Sequence, residues 1–165
     1  MEGKEQNQIS VKVMCLIVNA SEQRILVGQG YDSVKDERFY RLLGGSLNFG
    51  EKAEAGIRRE IREELNCEIE NLRFIEMVEN IFTFEGKAGH EIIFLFRGDL
   101  TDKSIYKQET LHIIEADYEI DAEWVPIAAV IENKVILYPK YNYNKILTPP
   151  HPQENTIKSA GVTIS

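Results

Sequence analysis

The pattern of apolar and polar positions predicts strands on both sides of one long helix. Residues 9–19 alternate and then become continuously apolar, and 24–28 form a second apolar segment, so the two predict a β-hairpin around the polar turn 20–23. The segment 31–38 is polar and is interpreted as a loop. Further strands are expected at 39–43, 72–84, 90–97 and 118–125, with a weaker segment at 134–138.

Residues 52–65 predict the principal helix because they lack proline and carry an apolar stripe at every fourth position, made of Ala53, Ile57, Ile61 and Leu65. Asn66 is expected to end this helix, since asparagine tolerates the left-handed cap conformation. Proline suits a first helical turn, so a short helix is expected over 126–131. Strands before and after one strong helix predict an α/β fold, with a mixed sheet packed by helices.

Chain length and charge narrow the class of protein. The 165 residues fit one domain, 1–165, with a folded core at 9–147 and an extended or partly disordered tail at 148–165. The net charge of -8 argues against a general nucleic-acid binder, which usually carries a basic face. The apolar runs reach only about six residues, too short to span a membrane. Because the N-terminus is also too polar for a signal peptide, a cytoplasmic protein is expected.

Three glutamates on the principal helix are the strongest chemical feature. Glu60, Glu63 and Glu64 are spaced i, i+3 and i+4, so they lie within an arc of about 100° on one face. Like charges at this spacing repel, so a compensating cation is expected, and carboxylate oxygens suit Mg²⁺ or Mn²⁺. Glu64 lies about 20° from the direction of Ala53, which places the cluster at the edge of the core, in a cleft.

Residues around these glutamates are expected to support them. Arg59 precedes Glu63 by four positions and can pair with it, which would orient the carboxylate. The preceding glycine-containing loop can fold back and offer backbone carbonyls to a metal and amides to a phosphate. Gly56 leaves room either for a ligand or for that loop. Salt-bridge lacing of a solvated helix explains the pattern poorly, because Arg58–Arg62 and Glu60–Glu64 are like-charge pairs.

The segment 45–67 resembles the Nudix box, G-x5-E-x7-R-E-U-x-E-E-x-G-U with U aliphatic, and looser similarity extends over 11–131. Three positions depart from the family pattern: Asn66 replaces a glycine, Cys67 stands at the last aliphatic position, and Leu43 stands where many members have proline. The remaining positions are in register, filled by Gly45, Glu51, Arg59, Glu60, Ile61, Glu63 and Glu64.

The resemblance implies a Nudix-type α/β/α sandwich around a mixed sheet and metal-dependent hydrolysis of a diphosphate linkage in a nucleoside-diphosphate-linked small molecule. It implies Glu60 and Glu64 as metal ligands, with Glu63 sharing or supporting. Arg59 completes the catalytic group, Glu51 is a candidate for a second metal, and the carbonyl of Gly45 for the same shell. The implied cofactor is Mg²⁺, with Mn²⁺ as an alternative. Family members often form dimers, so a homodimer is left open.

Several assignments stay open. Candidate phosphate-binding or base-stacking residues are Arg41, Arg97, Tyr40 and Phe82, and the candidate general bases outside the box are Glu91, Glu109, Glu115 and Glu123. The resemblance leaves a nucleotide sugar, an ADP-ribose-like compound and a nucleoside triphosphate as expected substrates, because substrate choice lies outside the box. The acidic charge disfavours an RNA cap. The alternative function is a catalytically silent Nudix-fold module that binds or regulates through a nucleotide.

Overall fold

The computed structural model describes residues 7–115 and 118–147, so the predicted tail at 148–165 lies outside the described residues. None of the described helices is long and apolar enough to cross a membrane. The elements follow one another as β1 (Ser10–Asn19), β2 (Arg24–Asp32), β3 (Glu37–Ser46), α1 (Ala53–Leu65), β4 (Ile69–Phe84), β5 (Lys87–Leu100), a 3-10 turn (Ile105–Lys107), β6 (Thr110–Glu115), β7 (Tyr118–Pro126), α2 (Ile127–Ile131), β8 (Leu137–Tyr138) and α3 (Asn144–Leu147).

The strands form one mixed sheet in the order β4-β5-β1-β3-β2-β7-β6, with β8 paired to β3. The β1–β5 and β3–β8 pairs are parallel and the other pairs are antiparallel. β3 pairs with β2 over residues 37–42 and with β1 over 43–46. Gly44 lies at this change of partner with φ 144°, and a side chain there would meet the carbonyl of Val13. Only glycine fits this close approach of two backbones.

Helices cover both faces of the sheet, which gives the α/β/α layers that the family resemblance implies. Side chains alternate along a strand. Val13, Cys15 and Ile17 of β1 therefore pack in the core under α1, whereas Met14 and Leu16 pack in a second core under α2 and α3. The prediction of an α/β fold with a mixed sheet is confirmed.

The structure confirms the predicted helix and its cap. α1 runs from Ala53 to Leu65, and its stripe residues Ile57 and Ile61 are fully buried. Asn66 has φ 48° and ψ 42°, the left-handed conformation expected at this position. The N–H of Asn66 donates to the carbonyl of residue 62 at 2.9 Å, so the last turn of α1 is closed by a backbone hydrogen bond.

The predicted loop at 31–38 is wrong in extent. β2 continues to Asp32 and β3 begins at Glu37, leaving only residues 33–36 as a turn. The buried carboxylate of Asp32 accepts the N–H groups of Val34 and Lys35 at 3.0 Å each, which stabilises this turn. The polar residues 31–32 and 37–38 thus belong to the β2–β3 hairpin, because they pair with each other across its two strands. β6, the 3-10 turn and α3 were not predicted from the sequence.

Candidate active site

The loop between β3 and α1 folds back onto the helix. The N–H of Leu47 donates to the carbonyl of Val11 at 3.0 Å, and the N–H of Asn48 donates to Oε2 of Glu51 at 3.1 Å. A Cβ added to Gly56 would lie 2.7 Å from the Leu47 side chain and 3.1 Å from Oε2 of Glu51. Of the two occupants expected beside Gly56, the loop is therefore the one observed.

The guanidinium of Arg59 lies at the centre of the acidic cluster. Its Nε and Nη2 donate to the two carboxylate oxygens of Glu51 at 2.8 and 3.0 Å. Its Nη1 donates to Glu60 at 2.9 Å and to Glu63 at 3.2 Å, and Nη2 also reaches the carbonyl of Ser46 at 3.0 Å. The predicted Arg59–Glu63 pair is confirmed, and the same side chain also fastens the loop to the helix.

These contacts perturb the protonation of both main partners. Hydrogen bonds from Arg59, followed by that from the N–H of Asn48, lower the pKa of Glu51 to about 2. The hydrogen bond to Glu51 is in turn the largest reason that the pKa of Arg59 lies above its ordinary value. The bidentate pair is therefore charged throughout the neutral range, so the loop is held by charge-assisted hydrogen bonds.

The three helix glutamates differ in burial. Glu64 is only 6% exposed, and both of its carboxylate oxygens are out of contact with solvent. The side chain of Glu60 is 13% exposed and that of Glu63 is 57% exposed. The expected position of Glu64 at the buried side of α1 is confirmed, and the cluster runs from the core outward to solvent.

Gly45 brings the backbone of β3 against this cluster. A Cβ added to Gly45 would lie 2.5 Å from the carboxyl carbon and from both oxygens of Glu60. Gly45 is also held in the sheet by its register partner Val13. A side chain at this position would displace the Glu60 carboxylate, so glycine is needed for the observed approach of strand and helix.

The chemistry of the donor set suits a hard divalent cation, because the cluster offers carboxylate and backbone oxygens. Among the described residues, however, no three acidic, histidine or cysteine side chains surround a common point for a metal. The Arg59 guanidinium lies among these carboxylates and forms ion pairs with Glu51, Glu60 and Glu63. A bound cation would share these oxygens with Arg59.

A cavity of about 240 Å³ lies between β3, β8 and the β4–β5 hairpin. Its lining includes Met14 at the β1 side, and Met14 is the register partner of Gly44. The glycine pair 44–45 therefore lies between this cavity and the Glu60 carboxylate. The β2–β3 and β4–β5 turns meet beside the cavity, since the N–H and hydroxyl of Ser33 each donate to the Glu85 carboxylate at 2.6 Å.

The three predicted substrate-binding residues, Arg41, Tyr40 and Arg97, lie at different places in the structure. Arg41 lines the cavity. Tyr40 lies elsewhere: its hydroxyl donates to the Glu123 carboxylate, and this hydrogen bond is the main reason that the pKa of Tyr40 rises to about 12. Arg97 donates to the carbonyl of Ile146 at 3.0 Å and so ties β5 to α3. Of the three, the structure brings only Arg41 to the cavity.

The other candidate residues also take distinct places. Glu91 and Phe82 line the cavity, whereas Glu109 is exposed just before β6. The side chain of Glu115 lies outside the described residues. Phe39 and Asn80 also line the cavity and were not among the site residues predicted from the sequence. The alternation of residues along β4 is the signal that could have grouped Asn80 with Phe82 on one side of the strand.

Comparison with known proteins identifies the family. The family model described as NUDIX domain matches residues 9–143. The chain therefore belongs to the Nudix family, whose members generally use divalent metal ions and act on small nucleotide-type substrates.

Solved structures share the fold at low sequence identity. The solution structure of the E. coli ORF135 protein is 17% identical with a TM-score of 0.50, and the match covers 87% of this chain and 96% of that one. A NUDIX hydrolase from Nitrosomonas europaea is 16% identical with a TM-score of 0.52, covering 77% and 78% of the two chains.

Proposed function

We propose that the protein hydrolyses a diphosphate linkage in a nucleoside-diphosphate-linked small molecule, with a divalent metal ion bound at the α1 cluster. The observation that carries the proposal is the buried carboxylate of Glu64 on the same helix face as Glu60, whose side chain is only 13% exposed and lies against Gly45 of β3. Arg59 supplies one positive charge to a cluster of four carboxylates, those of Glu51, Glu60, Glu63 and Glu64, so a divalent cation would bring the cluster closer to neutrality. Membership of the Nudix family supports the same conclusion.

The proposed metal ligands are Glu60 and Glu64, with Mg²⁺ as the cation and Mn²⁺ as an alternative. Glu63 is exposed enough to share the metal at the solvent side, and Glu51 and the Gly45 carbonyl complete the donor set. When bound, the cation supplies charge neutralisation on the phosphate oxygens and lowers the pKa of a coordinated water. Arg59 keeps the carboxylates aligned through the hydrogen bonds that join loop and helix.

Arg41 is the proposed contact to the substrate's phosphates outside the metal cluster. It lies on β3 four residues before Gly45, which corresponds to at most about 13 Å along a strand. A substrate whose diphosphate lies at Gly45 would therefore pass Arg41 and extend into the cavity. The cavity is the proposed site of the organic group.

The test is a substrate panel assayed with Mg²⁺ and with EDTA, on wild type, Glu60→Gln and Glu64→Gln. Glu54→Gln is the matched control, because Glu54 lies on the same helix and pairs only with Arg58, at 3.0 Å, among the described residues. We expect kcat to fall about 10²–10³-fold in the first two variants, since each removes charge needed in the transition state. The control should stay within about twofold of wild type, as expected for an exposed pair.

The alternative of a catalytically silent binding module makes a different prediction. In that case no panel member would be cleaved in the presence of metal by wild type, and nucleotide binding would be equal in wild type and both cluster variants. These two results together would contradict the proposed hydrolase activity.

A further inference from the structure

Two phenylalanine rings in the cavity wall are each seated on a glycine. Phe39 of β3 covers Gly30, its register partner on β2, and Phe82 of β4 covers Gly89, its register partner on β5. A Cβ on either glycine would overlap the ring opposite it. Phe39 is held further by an edge-to-face contact with Tyr138 at 5.4 Å between centroids. The cavity is therefore lined by preformed aromatic surfaces, which favour a planar ring as ligand.

The volume of the cavity limits how much of a ligand it holds. Pockets for complete small molecules usually measure about 300–1,000 Å³. The cavity measures about 240 Å³, so it fits one ring system better than a whole nucleotide. A nucleobase inside it would leave the ribose and phosphates outside, toward the Gly44–Gly45 end.

The polar edge of the cavity is built by Asn80 and Glu91. They are register partners in the β4–β5 ladder, and Nδ2 of Asn80 donates to Oε2 of Glu91 at 3.2 Å. Asn80 is 7% exposed, so this geometry is fixed by its surroundings. A carboxylate only accepts hydrogen bonds and has about four lone-pair positions, so Glu91 can accept more than the one from Asn80. This edge therefore selects for hydrogen-bond donors on the ligand.

The two positively charged residues of the cavity, Lys35 and Arg41, lie away from the Glu91 edge that prefers hydrogen-bond donors. Lys35 lies 3.5 Å from the carboxylate of Asp32 and donates to the carbonyl of Thr83, so it belongs to the end of the cavity beside the β2–β3 and β4–β5 turns. Arg41 belongs to the end toward Gly45, where the proposed phosphates lie. The remaining charged groups of the lining are Glu37, which accepts from the hydroxyl of Tyr138 at 3.4 Å, and Glu91. Asn80, the partner of Glu91, lies two positions from Phe82 on the same side of β4, so Glu91 is the carboxylate beside the Phe82 ring.

We infer that this cavity recognises a guanine-type base, in an assignment that rests on the proposed function. Guanine presents a ring N–H beside an exocyclic amino group, and these two adjacent donors match the two oxygens of the Glu91 carboxylate. Adenine presents one amino donor beside a ring nitrogen that only accepts, and that nitrogen would face a carboxylate oxygen. The substrate class is therefore a guanosine diphosphate joined to a second group.

Binding of nucleoside monophosphates tests the inference without requiring turnover. Isothermal titration calorimetry of wild type should give a Kd for GMP about 10–100-fold lower than for AMP, the range expected for a hydrogen bond to a charged group. Glu91→Gln replaces one acceptor with a donor and should remove or reverse this preference. Glu79→Gln is the matched control. Glu79 precedes Asn80 on β4, and its carboxylate forms a hydrogen bond with His90 at the surface, at 2.8 Å.

Kinetics with a matched pair of GDP-linked and ADP-linked sugars extend the test. Glu91→Gln should lower kcat/KM for the guanine substrate and raise it for the adenine substrate. An equal loss with both substrates would overturn the inference and indicate that Glu91 acts on the reacting water. Equal affinity of wild type for GMP and AMP would also overturn it, whereas a GMP preference without metal-dependent cleavage of any diphosphate compound in the substrate panel would instead refute the proposed function.

Discussion

Replacing Gly45 with alanine tests whether the contact between β3 and the Glu60 carboxylate matters for activity. The added Cβ would lie 2.5 Å from the carboxylate, and ordinary contact begins at 3.4 Å, so the carboxylate must withdraw by about 0.9 Å. The backbone of β3 has little freedom to yield, because Gly45 is paired with Val13 in the sheet. The displacement therefore falls mainly on Glu60.

The magnitudes follow from this displacement. A misplacement of about 1 Å in a catalytic group can cost roughly 10²-fold in rate, so kcat of Gly45→Ala should fall by about that factor. Overpacking costs about 1–3 kcal/mol, and the lost freedom of the unfolded chain returns about 0.4–1 kcal/mol. The net loss is therefore about 0–2.6 kcal/mol, and its midpoint of about 1.3 kcal/mol corresponds to a Tm lower by about 3–5 °C for a chain of this size.

The assay combines steady-state kinetics with thermal unfolding. Gly28→Ala is the control, because the nearest atom to its Cβ would be the tip of the Ile120 side chain, at 3.0 Å, which can rotate away, and the next two lie at ordinary contact distances of 3.7 and 3.9 Å. In a Glu60→Ala background the clash is absent, so Gly45→Ala should no longer destabilise and should gain about 0.4–1 kcal/mol. The reasoning is refuted if Gly45→Ala keeps kcat within twofold, or if it destabilises both backgrounds equally.

Three further changes have defined outcomes. Arg59→Gln should raise the pKa of Glu51 from about 2 toward its ordinary value of 4.5, measured by carboxyl ¹³C NMR, and an unchanged titration would contradict this. Because the folded-state pKa is the lowered one, the stabilisation by this pair is present above pH 4.5 and is lost as the pH falls toward 2. Asn66→Ala should cost about 1–2 kcal/mol in urea denaturation, because alanine disfavours the left-handed conformation, whereas Asn66→Gly should not. Ile61→Ala should cost about 2–5 kcal/mol, since this side chain is fully buried, and a smaller loss would show that the core under α1 closes the gap.

Local features of α1 could be predicted because they depend on periodicity alone. A four-residue apolar stripe defines which face is buried, and Glu64 lies beside that stripe by helix geometry. The cap at Asn66 likewise depends on one residue's tolerance of positive φ. These inferences needed no knowledge of which elements are neighbours in the fold.

The wider reach of Arg59 could not be predicted, because it depends on the path of the preceding loop. The i, i+4 spacing indicates a pair with Glu63, but the bidentate contact to Glu51 and the contact to the Ser46 carbonyl require the loop to return to the helix. The glycines of the loop indicate that it can fold back, but no local pattern encodes which of its side chains and carbonyls then meet Arg59. The same limit applies to the turn at 33–36, whose strands are extended by pairing rather than by apolar residues.

The cavity shows a third limit. Its walls come from strands far apart in the sequence, and strand alternation does not say which strands will face each other. Tyr40 and Arg41 are neighbours on β3 and therefore point to opposite sides, so only one of them could line the cavity. The sequence offered no means to choose Arg41, because both side chains suit contact with a nucleotide.

The central claim is metal-dependent cleavage of a diphosphate linkage, and ³¹P NMR of the reaction tests it most directly. Wild-type protein would be incubated with a GDP-linked sugar and Mg²⁺, with EDTA added midway through the time course. The account predicts that the diphosphate signals are replaced by two phosphomonoester signals and that conversion stops when EDTA is added. Diphosphate signals that persist with Mg²⁺ across GDP-, ADP- and UDP-linked compounds and nucleoside triphosphates, or conversion that continues in EDTA, would contradict it.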